Sequence, residues 1–131
     1  MIMLRKIVII EDDLFLQDFY RFFFKKVGGE VIILEDGDAI INVIETTIID
    51  LIIIDINLRN TFLNSKKVDG IQLSRWIKEK YRSLRIPIIL ITAFPPSSFG
   101  GTLLEDSLAD DYLLKPIVDY NILIEKINNL V

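Results

Sequence analysis

The stretch LIIIDINL, residues 51–58, decides the fold that the sequence predicts. Four consecutive apolar residues, Leu51 to Ile54, are typical of a strand covered on both faces, because a half-exposed strand alternates apolar and polar residues. A carboxylate, Asp55, follows this run directly. In an open parallel sheet, ligands bind at the carboxyl ends of the strands. We therefore expect Asp55 to lie at the functional edge of a sheet.

Similar β-rich runs occur on both sides of this stretch and alternate with segments of helical period. This alternation predicts an α/β fold, with a doubly wound parallel sheet and helices on both faces. The predicted strands are residues 6–10, 31–34, 51–54, 88–90 and 112–114, and the predicted helices are residues 14–26, 38–45, 71–81 and 118–130. One more helix, within residues 102–108, is expected to be short because two prolines and two glycines precede it.

Length and composition restrict the class of protein. We expect residues 1–131 to form one domain, since a second would not fit in this length. Apolar runs are far shorter than the roughly 20 residues that cross a bilayer, so we expect no membrane contact and a cytoplasmic location. The net charge of -4 argues against direct nucleic-acid binding. Cysteine and histidine are both absent from the sequence, so its chemistry must use carboxylates, hydroxyls and amines.

Polar groups follow the predicted strands at one edge. Glu11 and Asp12 follow the first strand, Glu35 and Asp36 the second, Asp55 the third, Thr92 the fourth and Lys115 the fifth. Neighbouring carboxylates repel by roughly 4 kcal/mol per pair at about 4 Å, so they need a cation or a shared proton. An all-oxygen site with few carboxylates suits Mg²⁺. A hydroxyl and an ammonium opposite them suit the oxygens of a phosphoryl group on a carboxylate.

Each of these residues also has a purely structural interpretation. Asp55 could cap the loop that follows its strand, and the acidic pair could cap the first helix, although Asp13 fits that position better. Thr92 could be an ordinary strand residue and Lys115 a surface lysine. We favour the functional interpretation because carboxylates, hydroxyl and ammonium are all predicted at the same edge.

Five separated motifs resemble the receiver domain of two-component response regulators, of the chemotaxis-regulator type. They occur in the order VIIEDD (8–13), LIIIDINL (51–58), DG (69–70), ILITA (89–93) and DYLLKP (111–116), and together they span most of the chain. The resemblance implies a flavodoxin-like, five-stranded parallel sheet in the order 2-1-3-4-5. The strand order then reverses between the first and third strands, which is where such folds bind ligands.

The resemblance implies a magnesium-dependent phosphoacceptor site. Asp55 would accept the phosphoryl group. The Mg²⁺ ligands would be Glu11, Asp12, Asp55 and the backbone carbonyl of Asn57.

The remaining site residues implied by the resemblance bind the phosphoryl group or respond to it. Thr92 and Lys115 would bind its oxygens, and the Lys115–Pro116 peptide bond is expected to be cis. Tyr112 corresponds to the switch aromatic of the family. It would change rotamer as Thr92 moves toward the phosphoryl group.

The implied function is two-component signal transduction. Asp55 would take a phosphoryl group from the phosphohistidine of a sensor histidine kinase or a phosphotransfer protein, and the change of shape would alter binding to a downstream protein. Such a domain is a regulator that assists its own phosphorylation and dephosphorylation, not an enzyme for a separate substrate. The sequence is equally compatible with a stand-alone regulator and with a receiver from a longer protein.

Two other functions are alternatives to a phosphoacceptor regulator. A pseudo-receiver acts only as a protein interaction module, and we would expect it to lack one of the five site residues. A phosphatase that forms an aspartyl phosphate would have a second aspartate two positions after the nucleophile, where this sequence has Asn57.

The sequence departs from the family pattern at three places. The loop 58–68 is longer than usual and has Arg59 in place of a proline; it could dock a partner or cover the site, or it could be an inert surface insertion. Phe94 is bulky where relatives often have a smaller or polar residue beside the path of the hydrolytic water, so we expect a phosphorylated form that persists. The short fourth helix predicts a non-standard output face.

Overall fold

A computed structural model describes residues 5–131 of the chain, in which strands and helices alternate along the sequence. In chain order the elements are β1 (Lys6–Ile10), α1 (Leu14–Val27), β2 (Glu30–Leu34), α2 (Gly37–Thr46), β3 (Leu51–Asp55), β4 (Phe62–Leu63), β5 (Lys66–Lys67), α3 (Gly70–Lys80), β6 (Ile88–Thr92), α4 (Leu103–Ser107), β7 (Asp111–Leu114) and α5 (Tyr120–Leu130). Short 3₁₀ helices follow α3 and β6, at Arg82–Leu84 and Pro96–Phe99.

Five of these strands form one parallel sheet in the order β2-β1-β3-β6-β7. The register aligns Ile9 with Ile53 and Asp55 with Ile91. The predicted fold class and strand order are therefore confirmed. Because the strand order reverses between β1 and β3, the loops after these two strands diverge and leave a cleft between them.

Alternate residues of the central strands point into two different apolar layers. Ile7, Ile9, Leu51 and Ile53 pack against α1 and α5 on one face of the sheet. Their neighbours in sequence pack against α2, α3 and α4 on the other face; they include Val8, Ile10, Ile52 and Ile54. The unbroken isoleucine runs are explained by this double burial.

Aspartates cap three of the helices. Asp13 accepts hydrogen bonds from the amides of Phe15 and Leu16, so it is the N-cap of α1, as its position in the sequence suggested. Asp69 forms a reciprocal capping box with Gln72 at the start of α3, and Asp119 caps α5. The helix α4 has only five residues, which agrees with the short helix predicted there. Among the described residues 5–131, no helix is long and apolar enough to cross a membrane.

The insertion between β3 and α3 forms a two-stranded hairpin, which the sequence analysis did not predict. Strands β4 and β5 are antiparallel, and the residues between them, Asn64 and Ser65, have φ values of 53° and 65°. Positive φ at both positions is typical of the tightest hairpin turns. Leu58 and Leu63 are buried in the apolar layer that contains α2 and α3. The insertion is thus packed against the body of the protein.

Candidate functional site

Asp55 is the last residue of β3 and is only 4% exposed. Its Oδ1 atom accepts a 3.2 Å hydrogen bond from the amide of Asn57 and lies 3.0 Å from Nζ of Lys115. Both partners are N–H donors, and one of them carries a positive charge. Asp55 is therefore a buried carboxylate held next to a cation at the carboxyl edge of the sheet.

Glu11 lies directly after β1 and is 1% exposed. Its Oε2 atom accepts a hydrogen bond from the amide of Asp13, and its carbonyl oxygen accepts one from the side chain of Gln17. Its other carboxylate oxygen, Oε1, is buried and has no hydrogen-bond partner among residues 5–131. Burial and the neighbouring negative charge of Asp55 raise the pKa of Glu11 from 4.5 to about 8.

Glu11, Asp12 and Asp55 form one acidic cluster. Each offers a carboxylate oxygen, and these three oxygens lie within 4.8 Å of one another. A buried carboxylate oxygen without a partner needs a proton or a cation. Oxygen donors of this kind fit a hard divalent cation. The acidic cluster could therefore hold a metal ion.

A cleft of about 260 Å³ lies above the acidic cluster. Asp12, Asp55, Asn57 and Lys115 contribute to its walls, and the Lys115–Pro116 peptide bond is cis. The structure therefore brings together the predicted acidic residues, Asn57 and the predicted lysine, which come from the ends of three different strands.

Thr92 is the last residue of β6, and its side chain is buried. Its hydroxyl accepts a 3.0 Å hydrogen bond from the amide of Phe94 and donates a 3.1 Å hydrogen bond to the carbonyl oxygen of the same residue. Thr92 is not among the residues that line the cleft. In this conformation its hydroxyl is bound to the following turn.

Tyr112 is half-buried on β7, where it is aligned with Leu90. Its ring lies 5.7 Å from Nζ of Lys126, which also contacts the carboxylate of Asp111 at 3.0 Å. The predicted switch aromatic is thus at the edge strand, two positions before Thr92 in the register. Its role as a switch stays a prediction.

Four residues that line the cleft were not among the predicted site residues: Asp13, Glu35, Arg59 and Asn60. Glu35 follows β2 and lies at the edge where its strand end predicts it, although no role in the site was assigned to it. Arg59 and Asn60 belong to the insertion, and their position depends on how the hairpin folds back. Their presence in the cleft wall favours a site-covering insertion over an inert one.

Comparison with known proteins agrees with this geometry. A family model of the response regulator receiver domain matches residues 7–128. The receiver domain of TorR, a response regulator of the TMAO respiratory system, is 28% identical, with 96% of this chain and 95% of that chain covered and a TM-score of 0.77. A CheY-like receiver domain protein from Methanospirillum hungatei is 25% identical, with 96% and 92% covered and a TM-score of 0.77.

A third structure shares the fold. The receiver domain of a sensor histidine kinase from Pseudomonas aeruginosa is 24% identical, with 96% of each chain covered and a TM-score of 0.78. The structure of that protein has a magnesium ion coordinated in its active site cleft. The family match covers nearly the whole chain, and the sheet order and acidic edge agree with it. We conclude that this chain belongs to the response regulator receiver domain family.

Proposed function

We propose that residues 1–131 form one phosphoacceptor domain of a two-component system, in which Asp55 receives the phosphoryl group. The observation that carries this proposal is the 3.0 Å contact between Asp55 Oδ1 and Lys115 Nζ beside the acidic cluster. A buried carboxylate with a cation at its side is arranged to receive a group that brings additional negative charge. A carboxylate with only a structural role would not need the two further acids beside it.

The transfer uses groups that this chain provides. A carboxylate oxygen of Asp55 forms a bond to phosphorus while the bond between phosphorus and the imidazole nitrogen of the donor breaks. The electron pair of that bond stays on the imidazole, which takes up a proton. Lys115 offsets the negative charge on the phosphoryl oxygens during this step. Because the chain has no histidine, the phosphohistidine must belong to another protein or to another domain.

The acidic cluster would hold Mg²⁺ through Glu11, Asp12 and Asp55, with the carbonyl oxygen of Asn57 as a further ligand. When bound, the ion supplies positive charge against the phosphoryl oxygens. The buried Oε1 atom of Glu11, unpartnered among residues 5–131, supports this assignment.

The partners in this proposal are a sensor histidine kinase or phosphotransfer protein and a downstream protein. Leu14 and Phe15, at the start of α1, are 71% and 82% exposed and follow Asp13, which lines the cleft. Apolar side chains at the cleft rim suit a protein donor better than a small molecule. Thr92 would leave its contacts with Phe94 to reach the phosphoryl group, and Tyr112 would respond. The proposed location is the cytoplasm, where donors phosphorylated from ATP are available.

Incubation with acetyl phosphate and Mg²⁺, followed by intact mass measurement, tests the proposal. We expect one phosphoryl group on the wild-type protein and none on Asp55→Asn. Asp50→Asn is the matched control, because Asp50 directly precedes the other end of the same strand and accepts a hydrogen bond from the amide of Lys6. An Asp55→Asn variant that is phosphorylated like the wild type would refute the assignment. A wild-type protein that stays unmodified would favour the pseudo-receiver.

A further inference from the structure

The hairpin is anchored to the turn between β2 and α2 by polar contacts. The hydroxyl of Thr61, which is fully buried, donates a 2.8 Å hydrogen bond to the carbonyl oxygen of Glu35. The carboxylate of Asp36 accepts from the amide of Phe62 at 3.3 Å, and the carboxylate of Asp38 accepts from the amide of Asn64 at 2.9 Å. Asp36 directly precedes α2, but its side chain makes no cap hydrogen bond with that helix. Its carboxylate binds the main chain of the hairpin instead.

The start of α2 is shaped to receive the hairpin. A Cβ atom at Gly37 would lie 2.8 Å from the carbonyl oxygen of Phe62 and 3.4 Å from side-chain atoms of Leu63. A larger residue would therefore push β4 away. Together with the buried Leu58 and Leu63, this close approach fixes the segment between β3 and β4 in one position.

That segment carries Arg59, whose amide donates a 2.8 Å hydrogen bond to Oδ2 of Asp12. The two residues are 47 positions apart, so the contact exists only because the segment between β3 and β4 passes beside the loop that follows β1. Asp12 lies in the loop after β1 and is half-buried. The carboxylate of Asp55 is close enough to repel it.

We propose that Arg59 is a positioning residue that acts through its backbone amide to hold the Asp12 carboxylate in the acidic cluster. The hydrogen bond engages Oδ2 and offsets the repulsion from Asp55, so that Oδ1 stays available as a ligand atom. Hydrogen bonds to metal-binding carboxylates orient them in this way, and their loss typically weakens metal binding about 10-fold or more. The inserted hairpin is then part of the metal site. This inference rests on the proposed function, since it assumes that the cluster binds Mg²⁺.

The contact can be removed without changing Asp12. Arg59→Pro deletes the amide hydrogen, whereas Arg59→Ala deletes the same side-chain charge and keeps the amide. We expect calorimetric titration with Mg²⁺ to show about 10-fold weaker binding for Arg59→Pro than for Arg59→Ala. Equal affinities of the two variants would overturn the inference. If the wild-type protein itself binds no Mg²⁺, the proposed function fails instead.

A second measurement does not depend on the folding of the proline variant. Amide hydrogen exchange of the wild-type protein should show Arg59 protected, and Asp12→Ala should abolish that protection while leaving the amide of Asn64 protected by Asp38. An Arg59 amide that exchanges equally fast in the wild type and in Asp12→Ala would contradict the proposal.

Discussion

The amide of Lys115 donates a 2.8 Å hydrogen bond to the carbonyl oxygen of Thr92, so the main chains of the two predicted phosphoryl-binding residues are joined. Replacing the side chain of Lys115 should leave this bond intact and remove only the cation beside Asp55. We expect Lys115→Met to slow phosphorylation by acetyl phosphate about 100-fold or more, as for the loss of other groups that stabilise developing negative charge. Time-resolved intact mass measurement gives the rate.

Lys78→Met is the control, because Lys78 pairs with Asp110 outside the cleft. An unchanged rate in Lys115→Met would contradict its assigned role.

The raised pKa of Glu11 predicts how stability changes with pH in the absence of divalent ions. The pKa is 4.5 ordinarily and about 8 in the folded protein, where burial and then the charge of Asp55 raise it and the charge of Lys115 lowers it. Between these two pH values the unfolded chain loses the proton that the folded protein keeps. The free energy of unfolding should therefore fall as pH rises from 4.5 to 8, by at most about 1.4 kcal/mol per pH unit from this group.

Urea unfolding in EDTA across this pH range measures the effect. We expect Glu11→Gln to remove most of the slope, because glutamine does not titrate. Saturating Mg²⁺ should stabilise the wild type most at high pH, where the ligand is deprotonated. The same slope in Glu11→Gln as in the wild type would assign the pH dependence to another group.

Phe94 should control how long the phosphoryl group stays on Asp55. Its side chain is 57% exposed, while its main chain holds the hydroxyl of Thr92, so side-chain replacement should keep those hydrogen bonds. We expect Phe94→Glu to speed loss of the phosphoryl group about 10-fold or more, since a carboxylate there can orient or activate the attacking water. Phe94→Leu, which stays apolar, should resemble the wild type. Decay of the phosphorylated protein after removal of acetyl phosphate gives the rate, and equal rates for the glutamate and leucine variants would count against the idea.

Gly70 should be intolerant of any side chain. Its amide donates to the carbonyl oxygen of Ile56, and a Cβ atom would overlap the carbonyl oxygen of Asp55 and lie 2.6 Å from Cα of Ile56. We expect Gly70→Ala to lower the free energy of unfolding by about 3 kcal/mol, measured in urea, because α3 must move away from β3. Gly100→Ala is the comparison: no atom lies within 4 Å of its Cβ position, so only its φ of 72° is unfavourable, at about 1 kcal/mol. Equal losses would show that the close approach is relieved at little cost.

Much of the fold could be predicted because its strands are buried on both faces. Continuous runs such as Leu51 to Ile54 predict strands whatever their neighbours are, and the observed bounds differ from the predicted ones by two residues at most. The predicted third and fourth strands end one or two residues before β3 and β6 do. Asp55 and Thr92 are polar, which suggested the start of a loop, but both residues continue the parallel sheet. The prediction that α4 is short was correct, because two glycines directly before Thr102 restrict where a helix can begin.

The hairpin and the amide of Arg59 could not be predicted in the same way. The hairpin depends on contacts with Asp36 and Asp38, more than twenty residues away, and Asn64-Ser65 is a weaker turn signal than a pair with glycine. The Arg59 contact uses the main chain, so the identity of the side chain carries no information about it. The cluster of Glu11, Asp12 and Asp55 was accessible to prediction because sheet topology alone brings strand ends together.

The complete burial of β3 has a consequence for how a signal could leave this domain. β3 is packed on both faces by close-fitting isoleucines and cannot shift without disturbing that packing. We therefore expect the main chain of β3 below Asp55 to keep its position. Any displacement produced by phosphoryl transfer must then be carried by the segments that emerge from the sheet edge, namely the inserted hairpin, the turn at Phe94 and the loop at Pro116. A partner that distinguishes the two states should contact those segments rather than the sheet itself.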